Sequence, residues 1–521
     1  MHDYDLLVVG NGPGGRHAAI TAARRGRRVA LVDRRDPATP DAARSAIPTR
    51  ILREAVLSLT GNRRDAGAAE PHHSAHHGPR TGSRTDPGSH SHQERGPFAE
   101  YGGPPYGPSP PGGPLRLASD VDGADRQRHD ADREITIGEL SARTRYLLSR
   151  EAEVLRDALL RAHVEILTGT ARFVDEHTME IVGADHYRVG AERIVLAPGT
   201  TPARPAGVEF SGDRVVDSDG LLAFEGVPDS MVVVGAGLVG IEYASIFAAL
   251  GTRVLVVEQR TGMLDFCDGQ IVDALHTHLC DLGVTFRFTE RVESVRVSEH
   301  GTVTHLASGR RIPAQTVLYS AGRQGATARL RLENAGLSTD DRGRIAVDEH
   351  FRTSVPHIYA VGDVTGFPTL TAAAMEQGRR AAHHAMGSPT RVMPPLTPIV
   401  VHTIPQIAYV GATQAELTGS GARHVVGLAR QRDLARGQIT GDADGLLKLI
   451  VDARSRRLLG VHVFGSGAAD LVHIGQAVMG CDGTVDFLAD AVFNHPTLSE
   501  GYKVAALDAV DRLATHVPQR C

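Results

Sequence analysis

Two stretches of the chain share one order of apolar and polar positions. The first starts with the apolar run YDLLVVG at Tyr4–Gly10, passes through a helical stretch of small residues and ends with RVALVD at Arg28–Asp33. The second starts with MVVVGAG at Met231–Gly237 and ends with RVLVVE at Arg253–Glu258. An apolar, β-branched run that stops at glycines ahead of a helix and another such run is typical of a parallel βαβ unit. Two copies of the unit predict two dinucleotide-binding domains.

The chain from about Pro394 onward has a different pattern. The alternating segments VVHTIPQIAYVG, GLLKLIVDA and LLGVHVFG precede two stretches with the periodicity of amphipathic helices. Alternation with a period of two is typical of strands that bury one face. This region is therefore predicted to form an α+β domain with a mainly antiparallel sheet.

The segment between Arg63 and about Arg133 differs from the rest in composition. It is rich in proline, glycine and clustered histidine, and it has too few apolar residues to offset the entropy of ordering. We predict a disordered insert within a helical region, because helical periodicity resumes at ITIGELSARTRYLLSREAEVLRDALL. We interpret its histidines as part of a solvated segment, with a metal-binding tract as the alternative, and we predict no metal site.

Composition excludes several classes of protein. The net charge of −5 over 521 residues excludes a nucleic-acid binder that relies on bulk positive charge. The four cysteines stand far apart without a CxxC, which argues against a disulfide-stapled secreted fold and a cysteine-rich zinc site. No long apolar run occurs, and the first strand pattern begins at Tyr4, which leaves no room for a signal peptide. We expect a cytoplasmic protein with no membrane or nucleic-acid partner.

Each βαβ unit carries glycines in the spacing G-x-G-x-x-G and an acid at the end of its second strand. Glycine permits the tight turn and the close approach of backbone to a pyrophosphate, the helix N-terminus attracts that anion, and the acid can accept from ribose hydroxyls. One such motif is weak evidence, whereas two at matching offsets are a specific signal for dinucleotides. The residues are Gly10, Gly12, Gly15 and Asp33 in the first unit, and Gly235, Gly237, Gly240 and Glu258 in the second.

Three further segments contain candidate site residues. VLAPGTTP lies shortly before the second unit, and HIYAVGDVTG places Asp363 between a buried strand and a helix, where it can accept from a cofactor hydroxyl. FNHPTLSE places His495 five residues before Glu500, a spacing that lets the carboxylate orient the imidazole. Plain packing at an interface is the alternative interpretation of that pair.

In the order of these motifs the chain resembles the flavin-dependent pyridine nucleotide-disulfide oxidoreductases, apart from the 63–133 insert. In that family the first unit binds FAD, the second binds NAD(P), and a C-terminal domain forms the homodimer. The resemblance implies that Glu242, in the GIEYAS segment, lies near both flavin and nicotinamide as a catalytic residue, and that His495 takes the position of the acid/base histidine. It implies FAD or dinucleotide contacts from Gly10, Gly12, Gly15, Asp33, Arg50, Ala171, Gly199, Gly362 and Asp363, and from Gly235, Gly237, Gly240, Glu258, Arg260, Gly322 and Arg323.

The resemblance also implies the domain organisation. The expected fold class is α/β, with two Rossmann-like dinucleotide-binding domains and a C-terminal α+β dimerisation domain. The expected boundaries are 1–214 and 336–390 for the FAD domain, 215–335 for the NAD(P) domain and 391–521 for the dimerisation domain.

One departure from the family determines the expected activity. Its disulfide members carry CxxxxC before an IPSK-like stretch, whereas here AIPTRILREAV places Ala46 at the second cysteine position and about Asp41 at the first. Without a dithiol, the flavin cannot pass electrons to a disulfide substrate by the usual route. Arg50 also replaces the lysine expected next to the flavin.

Segments such as GAGLVGIEYASIFAALG and IYAVGDVTGFPTL look like the soluble pyridine nucleotide transhydrogenase subfamily, whose members lack the complete cysteine pair. The resemblance then implies hydride exchange between NAD(H) and NADP(H) through FAD. The alternatives are an NAD(P)H:quinone or acceptor reductase (a diaphorase) and a non-catalytic flavoprotein with a binding role. Glu258 should favour the 2′-hydroxyl of NAD, and Arg260 can donate charge-assisted hydrogen bonds to the 2′-phosphate of NADP, which predicts a compromise between the two.

Overall fold

The structure is a computed structural model, and it describes residues 2–34, 49–57, 137–221, 226–366, 370–390 and 396–516. The predicted insert at 63–133 and the positions Asp41 and Ala46 lie outside the described residues.

The first sheet is built on the N-terminal βαβ unit. The strands β2, β1, β6 and β17 are parallel to one another, and β3 extends them beyond β2, while β4 and β5 form an antiparallel extension on the first half of β6. The near-continuous apolar runs of β1 and β2 are buried on both faces, as parallel strands between helices require. The strands are β1 (Tyr4–Val9), β2 (Val29–Asp33), β3 (Glu165–Thr168), β4 (Thr170–Phe173), β5 (Thr178–Val182), β6 (His186–Leu196) and β17 (Ile358–Ala360).

Two helices of small residues pack on this sheet, namely α1 (Pro13–Ala23) and α6 (Thr371–Ala385). They cross closely, because a Cβ at Gly378 would overlap the carbonyl oxygen of Gly14. The helices α2 (residues 49–57) and α3 (Ile137–Arg161) precede and follow the predicted insert along the chain.

The second sheet repeats the pattern with five parallel strands in the order β11-β10-β9-β15-β8. The strand order reverses between β9 and β15, which is the point where such sheets bind ligands. The strands are β8 (Val215–Asp217), β9 (Ser230–Val234), β10 (Arg253–Val257), β11 (Thr285–Arg287) and β15 (Thr316–Tyr319), and the helices are α4 (Leu238–Ala249) and α5 (Gly269–Asp281).

Two small antiparallel sheets accompany the second sheet. One contains β12 (Val292–Ser298), β13 (Gly301–Leu306) and β14 (Arg311–Ala314). The other pairs β7 (Thr200–Pro202) with β16 (Arg323–Gly325), and so ties together the two chain segments that run between the large sheets.

The C-terminal sheet is antiparallel, in the order β18-β19-β22-β21-β20. Its strands are β18 (Ile399–Val401), β19 (Gln406–Gly411), β20 (His424–Arg430), β21 (Leu446–Asp452) and β22 (Leu458–Gly465). Its helices are α7 (Gln414–Gly419), α8 (Ala435–Thr440), α9 (Ala468–Gly480), α10 (Val485–Asp490) and α11 (Glu500–His516).

The prediction for this C-terminal region was wrong in two details. VVHTIPQIAYVG forms two antiparallel strands rather than one, because the amides of His402 and Ile404 donate to side chains of α4 instead of continuing the ladder. The last strand is followed by three helices, α9 to α11, rather than two. The additional helix is α10, which is only six residues long (Val485–Asp490).

The predicted fold class, α/β with two Rossmann-like sheets and a C-terminal α+β region, is confirmed by the sheet topology. The domain boundaries stay a prediction. Among the described residues, no helix is long and apolar enough to cross a membrane.

Candidate functional site

Both glycine-rich turns open into one large cleft. The cleft has a volume of about 1270 Å³. The predicted catalytic residue Glu242 lines it, whereas Gly15, Gly240, His495 and Glu500 do not. The predicted cofactor-binding residues that line it are Gly10, Gly12, Asp33, Arg50, Ala171, Gly199, Gly235, Gly237, Glu258, Arg260, Gly322, Arg323, Gly362 and Asp363.

The three glycines of each turn have separate roles. Gly10 has φ +106° and Gly235 has φ +103°, a backbone conformation that other residues adopt only with strain. A Cβ at Gly15 would overlap the carbonyl oxygen of Gly10, so this glycine serves the packing of α1 on β1 and faces away from the cleft. A Cβ at Gly237 would meet no atom within 4 Å, so the backbone there is open to the approach of a phosphate.

The acids at the strand ends brace the turns. The Asp33 Oδ2 accepts from the amide of Asn11 at 2.9 Å, and the Glu258 Oε2 accepts from the amide of Ala236 at 2.7 Å. These two hydrogen bonds occupy equivalent places in the two βαβ units. Both oxygens of Glu258 also accept from Arg260, so a ribose hydroxyl at this strand end would share these oxygens with the guanidinium.

Arg260 is bound to acids on two sides. Its Nε and Nη2 each donate to Glu258 at 3.1 Å, and its Nη1 donates to Asp265 at 2.7 Å. Burial alone would raise the pKa of Glu258, but the hydrogen bonds from Arg260 outweigh it and the pKa lies below its ordinary value. A ligand phosphate at this end of the cleft must therefore share Arg260 with two carboxylates.

Arg323 lies between the two large sheets and donates hydrogen bonds to residues at β7 and just after β8. Its Nε donates to Thr200 Oγ1 at 2.8 Å and its Nη1 to Ser218 Oγ at 3.0 Å, with Asp219 Oδ1 at 3.2 Å. It lines the cleft as expected, but most of its donors are engaged by these β7 and β8 neighbours. Its positive charge also acts on the carboxylate of Asp363.

The Asp363 carboxylate and the side-chain oxygen of Asn11 are acceptors to which no described residue donates. Burial raises the pKa of Asp363, and none of the described residues donates to its side-chain oxygens. Asp363 is partly exposed in the cleft, whereas the Asn11 Oδ1 is buried and has no hydrogen-bond partner. Buried acceptors without partners are costly. Together with the open backbone at Gly12 and Gly199, they fit a large, hydroxyl-rich ligand such as FAD.

Glu242 lies at the wall of the cleft between the large sheets and the C-terminal sheet. Its side chain is buried, and its Oε1 accepts from the amide of His402 at 2.8 Å. Burial raises its pKa to about 7, while His402, Thr49 and the charges of Arg50 and Arg53 lower it from a still higher value. A carboxyl that titrates near neutral pH in a cleft is suited to proton chemistry or to switching its charge.

Two residues near Glu242 were not predicted from the sequence: His402, which lines the cleft, and Arg53, which does not. Arg53 has a weak signal in the sequence, since it lies one helical turn after Arg50. His402 has none, because its neighbour Glu242 is 160 residues away along the chain. Burial and the two arginines lower the pKa of the His402 imidazole to about 3, so the ring is neutral.

His495 and Glu500 form the predicted pair, away from this chain's cleft. The His495 Nδ1 lies 2.7 Å from the Glu500 Oε1, and the amide of Thr497 donates to Glu500 Oε2 at 3.0 Å. The hydrogen bond from His495 lowers the pKa of Glu500. The imidazole is 67% exposed, so its other nitrogen is open to a partner.

The cysteines of the described ranges stand apart from the cleft. Cys267, Cys280 and Cys481 are free thiols, and none of them lines it. Burial raises the pKa of the Cys267 thiol to about 12, so this thiol is unreactive at neutral pH. In the part of the chain that the structure describes, no group of three or more metal-ligating side chains occurs.

Comparisons with known proteins agree with this geometry. Residues 4–378 match the model of the family described as pyridine nucleotide-disulphide oxidoreductase, and residues 397–506 match its dimerisation domain. Among curated proteins, the soluble pyridine nucleotide transhydrogenase of Mycobacterium tuberculosis (strain H37Ra) is 48% identical over 518 residues, which cover 98% of both chains. The protein of the same name from Marinobacter nauticus is 35% identical and covers 98% of this chain and 99% of its own.

Solved structures with lower identity share the fold. LpdA from Mycobacterium tuberculosis superposes with a TM-score of 0.78 at 22% identity, covering 96% of this chain and 99% of its own. The HOCl-induced flavoprotein disulfide reductase RclA from Escherichia coli gives a TM-score of 0.76 at 23% identity, covering 97% and 99%.

Proposed function

The chain belongs to the pyridine nucleotide-disulphide oxidoreductase family, and we propose that it is an FAD-dependent transhydrogenase that exchanges hydride between NADPH and NAD without a redox-active disulfide. One observation carries the proposal: both dinucleotide turns open into the same cleft with Glu242, and no described residue that lines this cleft is a cysteine. The sequence places Ala46 where the family's disulfide members have their second cysteine. The similarity to transhydrogenases over 98% of the chain supports the same activity.

FAD is assigned to the first turn. Gly10 and Gly12 would admit the pyrophosphate, Asp33 would accept from the adenosine ribose, and the unsatisfied carboxylate of Asp363 would accept from a hydroxyl of the ligand. When bound, the flavin supplies a two-electron carrier that links two nicotinamides.

The nicotinamide dinucleotides are assigned to the second turn. Gly235 and Gly237 leave room for the pyrophosphate, and Glu258 and Arg260 mark the ribose end. With FAD at the first turn, NADP(H) and NAD(H) would occupy the second turn in succession. Glu242 and Arg50 would provide a titratable carboxyl and a fixed positive charge where the two ring systems meet.

We also propose that the protein is a cytoplasmic homodimer. The match of residues 397–506 to a dimerisation domain supports a dimer, as do apolar side chains such as Val492, 95% exposed, and Phe487, 62% exposed, on the C-terminal region. The pair His495–Glu500 lies in this region and faces solvent in the single chain, so a partner copy is the proposed neighbour of the imidazole.

Two half-reactions test the function. The purified protein should be yellow, and NADPH should bleach the flavin absorbance in a stopped-flow experiment. The reduced enzyme is then mixed separately with an NAD⁺ analogue and with a quinone. Rapid reoxidation by the analogue supports the transhydrogenase. Reoxidation by quinone alone would replace it with an acceptor reductase, and a folded protein that takes up no FAD would contradict both.

A further inference from the structure

The connection between β18 and β19, residues 402–405, is bound to α4 at two points. The amide of His402 donates to Glu242 Oε1 at 2.8 Å, and the amide of Ile404 donates to Ser245 Oγ at 3.1 Å. Both acceptors are buried. The connection therefore carries the hydrogen bond that fixes the Glu242 carboxylate at the wall of the cleft.

The same connection is bound from its other side by Arg53 on α2. The Arg53 Nε donates to the carbonyl oxygen of Thr403 at 2.8 Å, and its Nη1 pairs with the exposed carboxylate of Glu54. The side chain is only 7% exposed. Burying a guanidinium is costly unless its donors are used. Here one donor binds the backbone oxygen between the two amides that hold α4.

We propose that Arg53 is a positioning residue, which anchors the 402–405 connection so that the amide of His402 keeps its hydrogen bond to the Glu242 carboxylate. Arg53 does not itself line the cleft. It acts through Thr403 and His402, which makes it part of the support of the site. The inference rests on the proposed function, because it assigns Glu242 to a cleft that holds flavin and nicotinamide.

The charged and titratable groups around Glu242 determine the sign of the effect. They are Arg50 and Arg53 from α2 and His402 from the connection, and the uncharged Thr49 adds a hydrogen bond. Burial raises the pKa of Glu242, and the hydrogen bonds and positive charges oppose this rise. The His402 ring adds no charge, since it is neutral at any pH of interest. Loosening the connection weakens the hydrogen bond to the ionised form, so Glu242 should then hold its proton to higher pH.

Two readouts on the holoenzyme test the proposal. The first is the hydrogen exchange of the His402 amide, measured by mass spectrometry, which needs no turnover. The second is the pH profile of flavin reduction by NADPH, from which the apparent pKa assigned to Glu242 is taken after confirming that Glu242→Gln removes it. Arg53→Lys keeps the charge but loses the planar Nε–H donor. Arg457→Lys is the matched control, because it makes the same substitution at an exposed arginine that pairs with Asp482, away from the 402–405 connection.

Arg53→Lys should raise the exchange rate of the His402 amide about tenfold and move the apparent pKa upward by about half a unit to one unit. Ser245→Ala loosens the same connection from α4 without any change of charge, and should move both readouts in the same direction. Arg457→Lys should leave both at their wild-type values.

Wild-type exchange and a wild-type profile in Arg53→Lys would overturn the proposal. If that variant fails to fold, Ser245→Ala alone tests the proposal, and wild-type exchange with a wild-type pH profile in Ser245→Ala would overturn it. If NADPH does not reduce the wild-type enzyme, the proposed function is contradicted. The exchange rate of the His402 amide in Arg53→Lys would still test whether Arg53 anchors the connection.

Discussion

Asp33 and Glu258 illustrate how one carboxylate closes a turn and still faces a ligand. Each accepts the amide of the residue between the first two glycines of its motif, at 2.9 Å and 2.7 Å. The sequence predicted the ribose contact of these acids from their position alone. It did not predict the bracing hydrogen bond, because that bond depends on how the turn folds back over the strand end. Loss of either acid should therefore disturb the conformation of the turn as well as the binding of the ribose.

Arg260 should govern the use of NADPH only weakly. Arg260→Ala removes the cation that is paired with Glu258 and should raise the KM for NADPH about fivefold, with the KM for NADH nearly unchanged. The effect is smaller than a free charge-assisted hydrogen bond would give, because Glu258 and Asp265 already share the guanidinium. Asp265→Asn should lower the KM for NADPH by releasing one donor. Steady-state kinetics with both cofactors measure these effects, and a change below about threefold in the kcat/KM ratio for both variants would exclude Arg260 from 2′-phosphate recognition.

Glu242 should cost the protein stability at neutral and alkaline pH. Its pKa of about 7 in the folded state lies above the unfolded value of about 4.3. The folded state therefore binds this proton more tightly, and its contribution to the unfolding free energy is full below about pH 4.3 and is lost as the pH rises through 7. Glu242→Gln should raise the unfolding free energy by about 1–3 kcal/mol at pH 8 and add little at pH 4.5. Urea unfolding at both pH values tests this, and an equal gain at both would show that the burial of the charge is not the cause.

At the scale of elements, strands and helices with strong local signals were predictable and their partners were not. The runs that became β1, β2, β9 and β10 fall within a residue or two of their predicted positions, because continuous apolar runs between glycines carry the signal locally. The break between β18 and β19 was missed. Its cause is tertiary, since the amides of His402 and Ile404 are taken by α4. Most of the site residues predicted from the motifs line the cleft for the same local reason. His402 lines it, and Arg53 contacts the 402–405 connection, only through the folded chain.

The crossing of α1 and α6 should depend on Gly378. A Cβ at this position would overlap the carbonyl oxygen of Gly14, which cannot move without shifting the first glycine-rich turn. Gly378→Ala should lower the unfolding free energy by about 1–3 kcal/mol and weaken the retention of FAD. Gly269→Ala on α5 is the control, because a Cβ there meets no atom within 4 Å. Urea unfolding and the flavin content after dialysis measure the two effects, and equal behaviour of both variants would contradict a tight helix crossing.

At the scale of the whole molecule, the second sheet and the C-terminal sheet share one buried apolar cluster, and a few buried polar groups also join them. Lys448 on β21 donates to Asp268 at 2.8 Å, where Asp268 is the N-cap of α5, and both side chains are 1% exposed. Glu242 and Ser245 join α4 to the C-terminal sheet in the same way. Such pairs are costly to break on one side only. The second sheet and the C-terminal sheet are thus fixed in one arrangement at the wall of the cleft.

The path of electrons through the molecule should need none of its thiols. Cys267 is buried with a pKa of about 12, Cys280 and Cys481 lie outside the cleft lining, and Cys521 is at the C-terminal end of the sequence. A variant with all four replaced by serine or alanine should keep its FAD and retain reduction by NADPH within about twofold, because hydride passes between ring systems and no thiolate takes part. Stopped-flow reduction and reoxidation by an NAD⁺ analogue measure this, with flavin content as the control for folding. Loss of either half-reaction in a variant that retains FAD would show that a cysteine carries electrons, and direct exchange between the nicotinamides through the flavin would then be wrong.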